Sequence, residues 1–304
     1  MARFRRLSDG VELPLSSRCL LGRSPGCNVR LEEAYASGEH ARVTWMGTAW
    51  EIRDLGSRNG TFVDGQRLKP GEPVALEVGA TVGFGDSNGG WRVIDVEGPR
   101  LMAVDQESQA PRIAEGDYLV LPTEEAPRVS VHPSKDGVGW VMEDADGDTT
   151  PVDDGQVIVV EGKSFKLELP AAAEETPMYA VARTLSNLSL RLAVSRDEET
   201  VVATAIFHGI ESDLEAREHS YLLLTLARAY AEDEANDVAL SDRGWRKVDD
   251  LCDMLKVGRN MIDVMIHRAR QQFAKAGIEG SAGIVESRRG QRRFGVPRFE
   301  ITEL

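Results

Sequence analysis

Three short polar segments interrupt the alternating apolar pattern between residues 22 and 66. They are Gly22-Arg23-Ser24, the run from Ser37 to Val43, and the run from Gly56 to Phe62. The flanking residues alternate between apolar and polar, which is typical of β-strands, so each segment is predicted to be a loop at the end of strands. Together the loops offer a guanidinium, a hydroxyl, a carboxamide and several backbone N–H groups. This donor set suits a dianion such as a phosphate.

The order of these motifs resembles the forkhead-associated (FHA) domain. The Gly-Arg pair is followed by Ser-x-x-His, here Ser37 to His40, and then by Asn59-Gly60-Thr61. The resemblance covers roughly residues 3 to 97. FHA domains are β-sandwiches whose loops bind phosphothreonine peptides. The resemblance therefore implies an FHA β-sandwich for residues 1–97, with phosphothreonine-peptide binding as its activity.

The resemblance also implies roles for single residues. Arg23 and Ser37 would contact the phosphate, Asn59 would hold the peptide backbone, and Arg58 would face the same groove. Gly38 stands where the family often carries Arg, Asn or Ser, so this pocket has fewer donors. The predicted phosphopeptide-binding residues are Arg23, Ser37, Gly38, Arg58 and Asn59. The alternative is that these side chains only stabilise the loops of a sandwich that has lost its ligand.

Charge is unevenly distributed along the chain, whose formal net charge is −14. Residues 98–177 hold 6 basic against 17 acidic side chains, whereas residues 256–298 hold 10 basic against 3 acidic ones. An acidic middle and a basic end indicate different partners for different parts of the chain.

Residues 98–170 are predicted to form a second, acidic β domain. A Gly-Gln pair follows Trp140 at the same offset as another follows Trp50, and the surrounding residues are similar. Two interpretations are open, a degenerate FHA-like sandwich without the binding motifs or a coincidence. The acidity of the region argues against an anionic ligand. The composition of the stretch that follows predicts a linker over residues 171–187.

The apolar period changes in the last third of the chain. Residues 188–207 alternate and predict a β-hairpin, and residues 284–301 predict a second hairpin with four arginines near its tip. Between them, helical periodicity predicts three helices, at about 215–231, 247–256 and 259–276. A small sheet, three helices and a basic hairpin in this order resemble the winged-helix effector domains of bacterial response regulators. The resemblance implies such a domain over residues 188–304.

The third predicted helix carries polar side chains on the face opposite its apolar residues. Amide, imidazole and guanidinium groups suit base edges and phosphates in a major groove. Arginines on the hairpin, or wing, would neutralise phosphates or enter the minor groove. The predicted DNA-binding residues are Asn260, His267, Arg268, Gln271, Lys275, Arg288, Arg289, Arg292 and Arg293. The alternative is a winged helix that docks protein and carries a solvated basic face.

Several classes of protein are not indicated by the sequence. The histidines form no pair at metal-ligand spacing, and P-loop, GxSxG and Rossmann motifs are absent. We therefore expect no enzyme activity, no metal and no cofactor. The three cysteines lack paired spacing and no apolar stretch reaches the length of a membrane span. These features predict a cytoplasmic protein with no membrane contact.

Taken together, the sequence predicts a multidomain protein, mainly β in its N-terminal part and α+β in its winged-helix C-terminal domain. The predicted function is a bacterial, phosphorylation-responsive transcriptional regulator. Its predicted partners are a phosphothreonine-containing protein or Ser/Thr kinase, DNA, and a second copy of the chain. The alternative is a signalling adaptor whose FHA domain docks a phosphorylated partner and whose winged helix docks another protein. The acidic middle would be a spacer, or a decoy that covers the basic wing.

Overall fold

The computed structural model describes residues 1–136, 138–170 and 183–304. Most of the predicted linker at 171–187 lies outside the described residues. The described residues divide into two compact units, one built on Met1–Arg100 with residues 168–170 and one on Leu101–Leu167 together with residues 183–304. The second unit therefore contains both the acidic β region and the region predicted to be a winged helix.

The first unit is a β-sandwich of two sheets that share one core. One sheet has the strand order β2-β1-β11-β10-β7-β8 and the other the order β4-β3-β5-β6-β9. The strands are β1 Arg3–Arg6, β2 Glu12–Pro14, β3 Arg18–Gly22, β4 Val29–Arg30, β5 Ala41–Trp45, β6 Trp50–Asp54, β7 Thr61–Val63, β8 Gln66–Arg67, β9 Pro73–Ala75, β10 Thr81–Phe84 and β11 Trp91–Asp95. Alternate residues of these strands, such as Phe4, Trp50, Ile52 and Val82, are buried between the sheets. The predicted β-rich N-terminal part is confirmed.

The acidic region of the second unit forms two four-stranded sheets. Their strand orders are β13-β12-β19-β18 and β14-β15-β16-β17. The strands are β12 Met102–Asp105, β13 Pro111–Ile113, β14 Leu119–Pro122, β15 Pro127–Pro133, β16 Trp140–Asp144, β17 Thr149–Val152, β18 Val157–Val160 and β19 Lys163–Glu168. Whether this region is a degenerate FHA-like sandwich remains a prediction.

The last part of the second unit combines a sheet, three helices and a hairpin. The elements are β20 Ser189–Val194, β21 Val201–Phe207, β22 Ile210–Leu214, α1 Ser220–Ala235, β23 Arg246–Lys247, α2 Val248–Leu255, α3 Arg259–Lys275, β24 Val285–Arg288, β25 Gln291–Phe294 and β26 Arg298–Glu303, with short 3₁₀ turns at Leu185–Asn187 and Ser281–Ile284. One sheet has the order β22-β21-β20-β26, with β26 parallel to β20. The other has the order β23-β25-β24, so the strand before α2 pairs with the hairpin.

The observed helices differ from the predicted ones mainly at α1. It begins at Ser220 rather than near residue 215, because β22, which was not predicted, occupies Ile210–Leu214. The second strand of the hairpin predicted at 284–301 is also divided. Gly295 separates β25 from β26, and a Cβ added at Gly295 would lie 1.8 Å from the Gly283 carbonyl oxygen. The chain thus bends there and returns to pair with β20.

The helices and the sheet of residues 183–304 bury one apolar core of their own. It contains Leu190 and Leu192 of β20, Leu222 and Leu226 of α1, and Ile266 of α3. None of the buried residues of this cluster comes from Leu101–Leu167. In the part of the chain that the structure describes, no helix is long and apolar enough to span a bilayer.

Candidate functional site

The loop between β6 and β7 is built on the buried carboxylate of Asp54. This carboxylate accepts hydrogen bonds from the backbone N–H groups of Gly56 (2.9 Å) and Ser57 (3.0 Å), and from the hydroxyls of Ser57 (2.5 Å) and Thr61 (2.7 Å). Burial alone would raise the pKa of Asp54, but these hydrogen bonds lower it below its usual value. The charged carboxylate therefore fixes the loop, which presents Arg58 at the surface.

The loop after residue 36 is fixed by the buried imidazole of His40. Its Nδ1 accepts the Ser37 backbone N–H at 2.9 Å, and its Nε2 lies 3.1 Å from the Gly60 carbonyl oxygen. These partners require a neutral ring with the proton on Nε2. Burial lowers the pKa of His40, which agrees with that neutral form. His40 thus braces two of the three loops from inside.

The loop that follows β3 and carries Arg23 approaches the loop that carries Ser37 without side chains between them. The Gly38 carbonyl oxygen accepts the Ser24 backbone N–H at 2.9 Å, and the Arg23 backbone N–H donates to the Ser37 carbonyl oxygen. A Cβ added at Gly22 would lie only 2.1 Å from the Gly38 carbonyl oxygen. The Gly-Arg pair therefore needs its glycine so that Arg23 can lie beside Ser37.

Side-chain hydrogen bonds bring the predicted phosphopeptide residues around the segment Tyr35-Ala36-Ser37. Arg23 Nε donates to the Ala36 carbonyl oxygen at 2.5 Å, and Asn59 Nδ2 donates to the Tyr35 carbonyl oxygen at 2.8 Å. The Arg58 backbone N–H donates to Ser37 Oγ at 3.0 Å. Within the described chain, Nε is the only Arg23 side-chain nitrogen with a hydrogen bond, so Nη1 and Nη2 remain available to an anion. Four of the five predicted residues are linked in this way, and the fifth, Gly38, is joined to Ser24 through its carbonyl oxygen.

Two residues of this site were missed in the sequence analysis. Asp54 was missed although an Asp shortly before a Gly-Ser pair, here Asp54-Leu55-Gly56-Ser57, is a signal for a side chain that caps its own loop. Tyr35 was missed because nothing local marks it. Its side chain is 63% exposed, and a Cβ added at Gly85 would meet both Tyr35 and Asn59 within about 3 Å. Tyr35 thus lies next to Asn59, at the edge of the site.

Removal of the Asp54 carboxylate is predicted to disorder the loop that carries Arg58 and Asn59. Asp54→Ala leaves several loop donors unpaired, and each buried unpaired donor costs about 1–3 kcal/mol. We expect the free energy of unfolding of the first unit to fall by at least about 2 kcal/mol, measured by urea unfolding. Asp86→Ala is the control, since Asp86 caps an exposed turn of the same unit. Equal stability of the two variants would contradict the role given to Asp54.

Comparison with known proteins agrees with this geometry. Residues 19–85 match the family model of the FHA domain. The first unit contains an FHA domain. FHA domains are phosphopeptide-binding signalling modules, and the match covers the three loops that carry Arg23, Ser37 and Asn59.

Curated relatives share the FHA domain with this chain. The FHA domain-containing protein FhaB of Mycobacterium tuberculosis is 38% identical over 77 residues, which are 25% of this chain and 48% of FhaB. FhaB of Mycolicibacterium smegmatis is 41% identical over the same shares of the two chains. This chain therefore spans about half the length of the curated relatives it matches. A solved structure of Mycobacterium tuberculosis EmbR in complex with a low-affinity phosphopeptide is 26% identical, with a TM-score of 0.28, over 31% of this chain and 24% of that one.

The predicted DNA-binding residues fall into an exposed and a buried group. Asn260, Arg268 and Lys275 of α3 are exposed, and Gln271 is half-buried. Arg288 and Arg289 are exposed at the turn of the β24–β25 hairpin, and Arg293 is half-buried. By contrast, His267 is 8% exposed and Arg292 is 2% exposed. These two side chains are therefore not at the surface in this arrangement of the chain, and their contact with DNA stays a prediction.

The imidazole of His267 is buried because the acidic β region packs on it. Tyr118 Oη lies 2.6 Å from His267 Nδ1, and Arg270 Nη1 donates to the same oxygen at 3.2 Å. Burial, followed by the charge of Arg270, lowers the pKa of His267 to about 3. The ring is therefore neutral, and its Nδ1 is hydrogen-bonded to the Tyr118 hydroxyl.

Arg270 and Glu143 form a buried ion pair next to His267. Arg270 Nη1 donates to Glu143 Oε1 at 2.9 Å, and Arg270 Nη2 donates to the Val285 carbonyl oxygen at 2.6 Å. His132 Nε2 lies 3.4 Å from the second carboxylate oxygen of Glu143. Burial would raise the pKa of Glu143, but the charge of Arg270 and the contact with His132 hold it well below its usual range. The carboxylate is therefore charged and ties β16 to α3.

The arginines of the hairpin have partners within the second unit. Arg292 Nη2 donates to the Ala145 carbonyl oxygen at 2.5 Å. The guanidinium groups of Arg288 and Arg293 lie 4.3 and 4.7 Å from the ring centre of Trp245, and Arg293 is paired with Glu286. These stacking contacts hold the hairpin arginines on one surface, where cation–π attraction stabilises them. Arg288 and Arg289 are the arginines of the turn whose side chains are exposed.

Acid should destabilise the second unit through His267. In the unfolded chain a histidine has a pKa of about 6.5, whereas the folded value is about 3. The neutral ring therefore makes its full contribution to the free energy of unfolding above about pH 6.5. This contribution falls as the pH drops towards 3, by up to about 1.4 kcal/mol per pH unit. His267→Gln keeps a hydrogen-bonding group for Tyr118 but cannot be protonated in this pH range. We expect its stability, measured by urea unfolding between pH 7 and 4, to fall less steeply than that of the wild type, and equal slopes would contradict this.

Proposed function

We propose that the FHA domain of this protein binds phosphothreonine peptides through Arg23, Ser37, Gly38, Arg58 and Asn59. The observation that carries the proposal is the set of hydrogen bonds that gathers Arg23, Ser37 and Asn59 around residues 35–37, while both Nη atoms of Arg23 remain available. A planar guanidinium can donate to two phosphate oxygens at once, which gives strength and orientation. The phosphothreonine would belong to a Ser/Thr kinase, one of its substrates, or a second copy of this chain.

We further propose that residues 188–304 are a winged helix that binds DNA. The order of a sheet, α1, β23, α2, α3 and a β-hairpin supports this proposal, since β23 pairs with the hairpin as the wing of such a fold requires. The exposed basic residues Arg268, Lys275, Arg288 and Arg289 support it as well. Phosphates of DNA attract such side chains independently of sequence.

Together these parts make a phosphorylation-responsive transcriptional regulator. The FHA domain would bring the protein to a phosphorylated partner in the cytoplasm, and the winged helix would act on DNA. FhaB, one of the relatives that match this chain, is named for its FHA domain alone. The proposed DNA binding therefore depends on residues 188–304 of this chain.

A signalling adaptor without DNA binding is the second candidate. One observation favours it, because the face of α3 that carries His267 and Arg270 contacts protein in this structure, namely Tyr118 and Glu143. In an adaptor this face would be a permanent protein interface, and the FHA domain would dock a phosphorylated partner.

DNA binding across a salt series separates the two candidates. The full chain is titrated with duplex DNA, together with an Arg288→Glu, Arg289→Glu variant that alters only exposed residues of the hairpin turn. If the protein is a regulator, the logarithm of its affinity for DNA should fall linearly with the logarithm of the salt concentration. The double variant should then bind DNA more weakly and with a flatter slope. A Glu51→Gln, Arg53→Gln variant, in the FHA domain, is the control and should bind as the wild type does. If the wild type does not bind duplex DNA even at low salt, the adaptor is favoured.

A further inference from the structure

One surface of α3 and the β24–β25 hairpin is covered by the acidic β region. The contacts come from Tyr118, from Glu143 of β16, and from the turn after β16. In that turn the Ala145 carbonyl oxygen accepts a hydrogen bond from Arg292, and Asp146 pairs with Arg259 at 3.1 Å. A carbonyl oxygen and a carboxylate thus lie against guanidinium groups in the way that phosphate oxygens do in protein–DNA contacts.

The acidic β region lies closest to α3 and the hairpin at two glycines. A Cβ added at Gly147, in the turn between β16 and β17, would lie 2.4 Å from the Cβ of Ser287 on the hairpin. A Cβ added at Gly116 would lie 2.8 Å from the carbonyl oxygen of Ala274 at the end of α3. Both glycines have positive φ, so a side chain is disfavoured there for two reasons. The acidic region therefore fits this surface specifically.

The same contact is polar and separate from the core of residues 183–304. Among the described residues, one small apolar cluster joins the two sides, formed by Tyr118, Val120 and Ala274 with the partly buried Ala282. The large cluster that holds α1, α2 and α3 together contains no residue of Leu101–Leu167. Interfaces between domains that separate are smaller and more polar than a shared core. The acidic region can thus leave the surface while the helices keep their own core.

We propose that residues 101–167 are an intramolecular inhibitor of DNA binding, which occupies the surface of α3 and the hairpin until it is released. This inference rests on the proposed DNA binding of residues 188–304. It explains why His267 and Arg292, which the sequence places on a DNA-binding face, are buried. Because Arg268, Lys275, Arg288 and Arg289 stay exposed, the closed chain retains weak, salt-sensitive binding, and release adds the covered part of the face.

Gly147→Val tests the proposal without changing any charge. The added side chain collides with Ser287 and pushes the β16–β17 turn away from the hairpin. Gly139→Val is the matched control, because Gly139 also has positive φ and lies in another turn of the same sheet, with nothing within 4 Å of an added Cβ. Full-length wild type and both variants are titrated with the same duplex DNA, and hydrogen exchange of α3 is followed in parallel.

We expect Gly147→Val to bind DNA about tenfold more tightly or better, since the apparent affinity rises with the open fraction, while Gly139→Val resembles the wild type. A second pair of variants keeps the test decisive if Gly147→Val misfolds the β16–β17 turn. Glu143→Lys breaks the buried pair with Arg270, and Glu107→Lys, at an exposed turn, changes the net charge equally. Of this pair, only Glu143→Lys should gain affinity beyond the effect of charge.

The outcomes distinguish the inhibition from the DNA binding on which it rests. If wild type and released variants bind DNA equally well, the inhibition is wrong and the proposed regulator stands. If hydrogen exchange shows that α3 is uncovered in Gly147→Val or Glu143→Lys and still no variant binds DNA, the DNA-binding proposal is wrong as well. If neither variant uncovers α3, the contact is a permanent interface and the inhibition is overturned.

Discussion

Arg23→Ala is expected to weaken the binding of a phosphothreonine peptide by about ten- to hundredfold. Each hydrogen bond to a charged group contributes about 1.5–3 kcal/mol, and 1.4 kcal/mol corresponds to a factor of about ten. The guanidinium is held by one bond, from Nε to the Ala36 carbonyl oxygen. Its loss therefore removes ligand contacts while most of the loop bonding remains. Isothermal titration with a phosphothreonine peptide selected from a library measures the change.

Two further variants make this result specific. Arg92→Ala removes the same charge from an exposed position on β11 and should change the affinity little. Arg23→Lys keeps the charge but lacks the planar fork, so its affinity should lie between those of wild type and Arg23→Ala. If Arg23→Ala and Arg92→Ala bind alike, Arg23 is not a phosphate ligand, and the loops serve only the stability of the sandwich.

Glu143→Ala is expected to destabilise the second unit by about 3–5 kcal/mol, because it leaves the guanidinium of Arg270 buried without its counter-charge. Arg270 is 1% exposed, and Glu143 is 6% exposed. The change should appear as a lower midpoint for the second unit in urea unfolding, with the transition of the FHA domain unaffected.

The double variant Glu143→Leu, Arg270→Met supplies the matching control. Replacement of a whole buried ion pair by apolar side chains is often neutral or stabilising. We therefore expect the double variant to recover most of the stability that Glu143→Ala loses. A double variant as unstable as Glu143→Ala would mean that the hydrogen bonds of Arg270 to Val285 and Tyr118, rather than its charge pair, stabilise this part of the molecule.

The FHA domain could be predicted from the sequence because its signals are local. Gly22 is required where two loop backbones approach closely, His40 braces the loops, and Asn59-Gly60 forms a turn with positive φ at Gly60. Each requirement restricts one position to few residue types, so the motif is visible in a single sequence. Tyr35 was missed because an exposed aromatic residue in a loop satisfies no such requirement.

The surface of α3 could be predicted only in part. Helical periodicity gives the direction of each side chain, and it correctly separated Ile262, Ile266 and Phe273 from the polar face. It cannot tell which distant segment packs against that polar face. His267 and Arg270 are buried by Tyr118 and Glu143, which lie more than a hundred residues earlier in the chain. Burial of polar residues by a polar partner leaves no apolar pattern in the sequence, so this contact could not be found there.

The most direct test of the central claim is the binding of the full chain to a degenerate peptide library, in which every peptide carries a phosphothreonine at a fixed position. The same library without the phosphate is the reference. The account predicts that the phosphorylated library is retained, that the unphosphorylated library is not, and that Arg23→Ala abolishes the difference between them. Equal retention of the two libraries by the wild type would contradict phosphopeptide recognition by this FHA domain.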